Sequence, residues 1–324
     1  MKTCFIGGTG RCGTSILRTI LSRHSRVATL PIEHRLTVDP DGIFDFYRSY
    51  TSGWSPYYAD ARLTRLKNFL EELSSTNPVH KIFRYLFRAF RLAGLSITPK
   101  KYLDVELSHF IPNYSEHVNT LLNELVEFEY TGERLGTRSY SFNNKIQYAS
   151  NYSKEQLKKI FQNFIHSFIQ DILTHNHKEC FIEDNTWNIL FSADLLDLIP
   201  NAKIISVIRD PRDVVASFSK QKWMPSNKAQ SAKIYNDLIV EWIEIRRNLD
   251  KQSWIEVRLE DVVLEPESQI RKICDFIELP WEDNLLEIDL SKSNSGRWKK
   301  YFSVEEQRSV IPLLAEHIKS FGYE

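Results

Sequence analysis

CFIGGTGRCGTSILRTIL, residues Cys4 to Leu21, reads as strand, glycine turn and helix. Cys4, Phe5 and Ile6 form the short apolar run of a buried parallel strand, and Ile16, Leu17, Ile20 and Leu21 then recur at helical spacing. Between them, Gly7, Gly8, Gly10 and Gly13 permit positive φ and clear side chains from a ligand's path. Such a turn aims several free N–H groups at one point, at the positive end of a helix, which makes it an anion cradle. A phosphate, or a group shaped like one, is the expected ligand. A turn that serves packing alone is the alternative this stretch leaves open.

Gly8 and Gly13 keep the spacing of the G-x-x-x-x-G-K-[ST] loop of nucleotide triphosphatases, but Thr14 stands where that loop has Lys. The loop cation is Arg11. Hydroxyls, N–H groups and one cation suit a 5′-phosphate carrying a terminal sulfonate, which brings less charge than a triphosphate and needs no metal. GTGRCGTSIL resembles the P-R-S-G-T-T-L-L loop of sulfotransferases that use 3′-phosphoadenosine 5′-phosphosulfate (PAPS), with Gly10 and Cys12 in place of Pro and Ser. The resemblance implies that Gly10, Arg11, Cys12, Gly13, Thr14 and Ser15 bind the 5′ end of the cofactor, and that Arg11 also serves in catalysis. Cys12, in an anion cradle at a helix N-terminus, is expected either to favour a thiolate or to be a small buried filler.

A second signal is AKIISVIRDPRDVVASFSKQKW, Ala202 to Trp223. Ile204 to Ile208 reads as a buried strand, Arg209 leaves its carboxyl end, and Asp210-Pro211 opens a helix. Ser217 follows Arg209 by about two helical turns, so that both can face one ligand. The segment resembles the family's 3′-phosphate site, where an Arg with permanent planar charge and a Ser donor grip the phosphate. Near the C-terminus, Ser295-Gly296-Arg297-Trp298-Lys299-Lys300 is similar to the family segment that folds over the nucleotide. That similarity implies Arg297 and Lys299 at the 3′-phosphate; a plain basic surface loop is the other reading.

Val27 to Ile32 reads as a second strand ending beside the loop, where ligands meet an open α/β sheet, and Glu33-His34 follow at once. Glu33 is the expected general base, with His34 as the second candidate; a solvated pair at a strand end is the alternative. In the resemblance Glu33 falls about one residue out of register from the acidic base of the tyrosylprotein and bacterial branches. Cys180-Phe181-Ile182 is a further strand, leading to Glu183-Asp184-Asn185-Thr186-Trp187. This segment matches a K-T-P or K-D-P tripeptide of the family, with Asn185 at the Lys position and Trp187 at the Pro. An amide stabilises developing negative charge less than an ammonium does. The departure implies another cation in that role or a different acceptor chemistry.

The chain has 324 residues, 42% of them hydrophobic, and a formal net charge of +0. That balance gives no global basic field for a nucleic-acid backbone. Apolar runs stop short of the roughly 18 residues that a membrane span requires, and with the loop this close to Met1 no leader or stem is expected. Four cysteines without C-x-x-C spacing fit a reduced chain, so a cytoplasmic location is expected. FDFYRSYTSGWSPYY, from Phe44 to Tyr58, is aromatic and turn-rich and reads as no regular core element; it is expected to wall an acceptor pocket or to pack an insertion. Helices are expected over 61–73, 80–93, 116–128 and 153–175.

The fold class that follows is α/β, a P-loop kinase-like parallel sheet of about five strands flanked by helices. A single domain over 1–324 is expected, with a nucleotide-binding core from 3–33 and 180–320 and a helical, aromatic insertion over 34–150. The expected function is transfer of a sulfonate from PAPS to a hydroxyl or amine of a small-molecule or glycan acceptor, leaving 3′-phosphoadenosine 5′-phosphate (PAP), without metal. A P-loop nucleotide kinase and a non-catalytic PAP-binding protein are the rival readings.

Overall fold

The computed structural model describes residues 1–74, 105–132, 145–290 and 295–323, with Leu86 and Tyr102. The chain divides into two compact units, Met1–Thr29 with Lys178–Glu324, and Leu30–His177.

The first unit is built on a parallel sheet. Its strands are β1 (Lys2–Gly8), β2 (Val27–Thr29), β3 (Cys180–Asp184), β4 (Lys203–Ile208) and β5 (Trp254–Arg258), in the spatial order β2-β3-β1-β4-β5. Helices α1 (Thr14–Leu21), α2 (Ser192–Leu198), α3 (Pro211–Phe218), α4 (Lys228–Arg247), α5 (Leu259–Leu264), α6 (Pro266–Phe276), α7 (Trp298–Tyr301) and α8 (Val304–Ser320) accompany it. Residues 3–8 of β1 and all of β3 are buried without alternation, as expected of strands covered on both faces. One core cluster joins Leu17, Ile20 and Leu21 of α1 to Ile6, Ile182 and Ile205 of the sheet. Another gathers Val214 and Phe218 of α3 around Tyr235, Trp298 and Leu314. Burying side chains of this size contributes about 1.5–3 kcal/mol each before conformational entropy is subtracted. After β1 the chain passes to β2 and β3 on one side and then crosses to β4 and β5 on the other, so the carboxyl end of β1 lies at the switch point where an open α/β sheet takes its ligands.

The expected five-strand parallel sheet is present, with differences at element ends. The second strand stops at Thr29 rather than Ile32. The 303–306 capping box is complete, Ser303 Oγ accepting the Glu306 N–H and the Glu306 carboxylate accepting the Ser303 N–H.

The second unit holds helices over Ile43–Ser52, Pro56–Ser74, Tyr114–Leu125 and Lys154–Asn176, and an antiparallel pair, Phe128–Thr131 with Lys145–Tyr148. The 44–58 stretch is regular after all: it forms one helix and opens the next, because burial of Phe44, Phe46 and Tyr50 overrides the weak helix propensity of aromatics. Tyr50 donates to the Ser150 carbonyl at 2.6 Å and Trp54 Nε1 to the Ala149 carbonyl at 3.1 Å, so these rings brace the unit. The helix expected over 116–128 ends at Leu125, and Phe128 starts a strand. The one expected over 80–93 lies, Leu86 apart, outside the described residues. No helix among the described residues is long and apolar enough to cross a membrane. The four cysteines are free and buried.

Candidate active site

β1 delivers Gly7 and Gly8 into the loop, and backbone crowding explains why glycine is needed there. A Cβ on Gly8 would stand 2.2 Å from Cys12 Sγ and 2.7 Å from the Val207 carbonyl oxygen. Gly13, at φ +105°, turns the chain into α1, and its carbonyl accepts the N–H groups of Ile16 and Leu17 at 3.0 and 3.1 Å. The leading N–H groups of the helix are thereby presented at the loop mouth, as at any helix N-terminus. Cys12 turns its side chain inward beneath this loop. Burial pushes its thiol up, against several loop N–H groups that pull the other way. Of the two expectations for Cys12, burial favours the small filler: desolvation outweighs the loop N–H groups at the helix terminus.

Arg11 is held at φ 57°, a left-handed conformation that costs a non-glycine residue about 1–2 kcal/mol. Two contacts over-determine it. Its Nε donates to Ser217 Oγ at 3.0 Å, and its carbonyl accepts from Arg209 Nη1 at 3.0 Å. Arg209 also lies 3.5 Å from the Asp213 carboxylate. The loop and the β4–α3 crossing, read separately from the sequence, thus meet through three side chains, with Asp210 capping α3 by accepting the Arg212 N–H.

The sequence reading gave Asp213 no role beyond the first turn of α3. Its buried carboxylate accepts the N–H groups of Gly296 at 2.7 Å and Trp298 at 2.8 Å, fixing the segment that carries Arg297 and Lys299 to α3. Arg212 stacks over the Trp298 ring at 4.5 Å and reinforces that join. No local sequence signal marks this contact, since its partners lie more than eighty residues on. A cleft of about 330 Å³ was also missed. It opens beside Ser15 and is lined by Ile16, Thr19, Val263, Ile288 and Leu290.

At the end of β3, Asp184 pairs in register with Ile6 and is buried beside α1. Arg18 Nε lies 2.9 Å from its carboxylate, and the Ser15 hydroxyl bonds to it. Burial raises the Asp184 pKa, opposed by Arg18 and Ser15. Asn185 acts locally: its Oδ1 accepts the Trp187 N–H at 3.0 Å, capping the turn Thr186–Phe191.

The other two candidates belong to the second unit. Glu33 Oε2 is 2.9 Å from Arg35 Nη2, while Arg35 Nη1 reaches Asp39 at 3.2 Å and the Tyr102 hydroxyl donates to Asp39 at 2.9 Å. Arg35 thus bridges two carboxylates. His34 is 1% exposed, its Nδ1 accepts the Leu36 N–H at 3.1 Å, and its ring meets Phe168 edge-on. Burial, with Arg35 adding to it, lowers the His34 pKa to about 3. The imidazole is neutral at ordinary pH.

A model of the sulfotransferase family matches residues 95–283. That span includes Asp184, Asn185, Arg209 and Ser217 but starts beyond the glycine loop, so the loop and the match are separate observations. Protein-tyrosine sulfotransferase A of Caenorhabditis elegans is 27% identical over 152 residues, covering 43% of this chain and 40% of the relative. The omega-hydroxy-beta-dihydromenaquinone-9 sulfotransferase Stf3 of Mycobacterium tuberculosis is 24% identical over 202 residues, 56% of this chain and 52% of the relative. The chain thus spans about half or less of the length of these curated relatives. Among solved structures, the sulfotransferase domain from the curacin biosynthetic pathway aligns over 100% of this chain and 98% of its own, at 14% identity and a TM-score of 0.50. At that identity the likeness is one of fold.

Proposed function

The chain belongs to the sulfotransferase family, and we propose that it transfers a sulfonate group from PAPS to an acceptor hydroxyl, releasing PAP. The observation that carries this reading is the convergence of Arg11, Arg209 and Ser217, linked by bonds of 3.0 Å. Two arginines and a hydroxyl around one glycine loop supply what a ligand with a 5′-phosphosulfate and a separate 3′-phosphate needs. Gly10 to Ser15 would hold the 5′ end, and Arg209, Ser217, Arg297 and Lys299 the 3′-phosphate. The apolar cleft beside Ser15 suits the adenine base, which is flat and largely apolar on its faces.

In the reaction, the acceptor oxygen forms a bond to sulfur as the bond from sulfur to the 5′-phosphate oxygen breaks. The acceptor proton passes to a base. The loop N–H groups and Arg11 would stabilise charge on the sulfonate and the leaving phosphate, and positioning supplies most of the remaining acceleration. For the base we choose Glu33 over His34. Glu33 is a carboxylate oriented by its ion pair with Arg35, whereas the His34 Nδ1 lone pair is already engaged by the Leu36 N–H. The names of the two relatives share a hydroxyl-bearing acceptor, a protein tyrosine in one and a hydroxylated menaquinone in the other. A small-molecule or glycan hydroxyl is the acceptor class proposed here.

One observation favours a second reading, a PAP-binding protein without turnover: Asn185 stands at the family's Lys position, and an amide stabilises developing negative charge less than an ammonium does. Incubation with PAPS labelled in the sulfonate, over a panel of phenols, alcohols and glycans, separates the two. Label transferred to any acceptor supports the enzyme; tight PAP binding with no transfer supports the binding protein.

A further inference from the structure

In P-loop nucleotide triphosphatases, the hydroxyl that follows the loop Lys and an Asp on a neighbouring strand hold Mg²⁺ together. This chain keeps both oxygen donors. Ser15 is the residue at the hydroxyl position, the second of α1, and Asp184 ends β3, the strand paired directly with β1. The Ser15 hydroxyl bonds to the Asp184 carboxylate. Against that carboxylate, however, lies Arg18, one helical turn beyond Ser15, with Nε at 2.9 Å from Oδ1. The guanidinium is therefore on the very oxygen that Mg²⁺ would coordinate at about 2.0–2.1 Å, and the two cannot share it. The residues do not fit a resident metal.

We propose that Arg18 stands in place of the divalent cation at Ser15 and Asp184, making the loop charge-complete without metal and selecting a terminal sulfonate over a terminal phosphoryl group. The inference rests on the reading of Gly10 to Ser15 as the 5′-phosphosulfate site. Its logic is a charge balance. Arg18 and Asp184 cancel, leaving Arg11 and the loop N–H groups to meet the phosphosulfate, whose terminal sulfonate carries a single charge. A phosphoryl group carries up to one charge more and lacks the metal that would neutralise it, while Asp184 stays beside it as a like charge. The same pair fixes Ser15 and the first turn of α1, so the cradle is formed before the ligand arrives.

The test is Mn²⁺ binding to the full chain by electron paramagnetic resonance, with pyrophosphate as the anion. Wild type and Arg18→Lys should bind no Mn²⁺ at the loop. Arg18→Met should bind it stoichiometrically, and Arg18→Met/Asp184→Asn should lose it again. Wild-type Mn²⁺ binding that Asp184→Asn abolishes would overturn the proposal, as would a folded Arg18→Met variant that takes up none. If Arg18→Met does not fold, Asp184→Asn decides: removing the repelling charge should tighten metal-free tripolyphosphate binding about tenfold, and no change would overturn the proposal. Should this Mn²⁺ pattern appear in a chain that binds no PAP, the nucleotide reading fails and the Arg18 assignment stands.

Discussion

Arg11 and Ser217 lie 206 residues apart in the chain, and Nε of the first donates to the hydroxyl oxygen of the second at 3.0 Å. The bond ties a strained loop residue to the last turn of α3, while Arg209 donates to the Arg11 carbonyl. Ser217→Ala removes both an anchor for Arg11 and a donor proposed for the 3′-phosphate. A hydrogen bond to a charged group contributes about 1.5–3 kcal/mol, so PAP affinity should fall by roughly ten- to a hundredfold. Affinity for AMP, which has no 3′-phosphate, should fall much less. Calorimetric titration of both ligands checks this, and equal losses would assign Ser217 to the 5′ end.

Glu33→Gln keeps size and hydrogen-bonding shape but removes basicity. With Glu33 as the base, kcat should drop by about 10²–10⁴ while PAP affinity stays nearly constant. Near-normal turnover in this variant would move the base to another group.

How far the sequence reached can be judged from single residues. The loop and the Arg209–Ser217 pair were legible because glycine spacing, a buried strand and a cap signal all lie within short windows. Their mutual contact was not, since parallel strands joined by long crossovers leave no local trace of which loops meet. Asp213 shows the same limit: its carboxylate serves Gly296 and Trp298, more than eighty residues on. Cys12 stayed open in the sequence for a different reason. The helix terminus that favours a thiolate is visible in sequence, but burial against Gly8, which reverses the sign, is a property of the packed loop. The aromatic 44–58 stretch misled because propensity was read without the tertiary burial of Phe44 and Tyr50.

His34 gives a pH dependence with a definite sign. Its folded pKa of about 3 lies below the ordinary imidazole value, so the unfolded chain binds the extra proton first as pH falls. The contribution is fully present above about pH 6.5 and is lost on acidification towards pH 3, at up to roughly 1.4 kcal/mol per pH unit. His34→Asn preserves an acceptor for the Leu36 N–H and removes the titration. Its denaturation midpoint should fall less between pH 6.5 and pH 4.5 than that of wild type; parallel falls would show that His34 titrates normally.

Cys12 should be inert in the native protein. Iodoacetamide at about pH 8 should leave it unmodified with or without PAP and label it only on denaturation, as read by mass spectrometry of the loop peptide. Native labelling that PAP blocks would mean that the sulfur faces the ligand.

The central claim is that the loop and the start of α3 form one site for a nucleotide bearing a 3′-phosphate, and ligand-induced thermal stabilisation tests it most directly. At a hundredfold excess over Kd, a ligand of the native state adds about 2.7 kcal/mol. PAP should raise the Tm well beyond what ADP or ATP achieves at equal concentration, with or without Mg²⁺, and Arg209→Ala should remove that preference. Equal stabilisation by ADP and PAP in wild type, or an Arg209→Ala variant that still prefers PAP, would contradict the account.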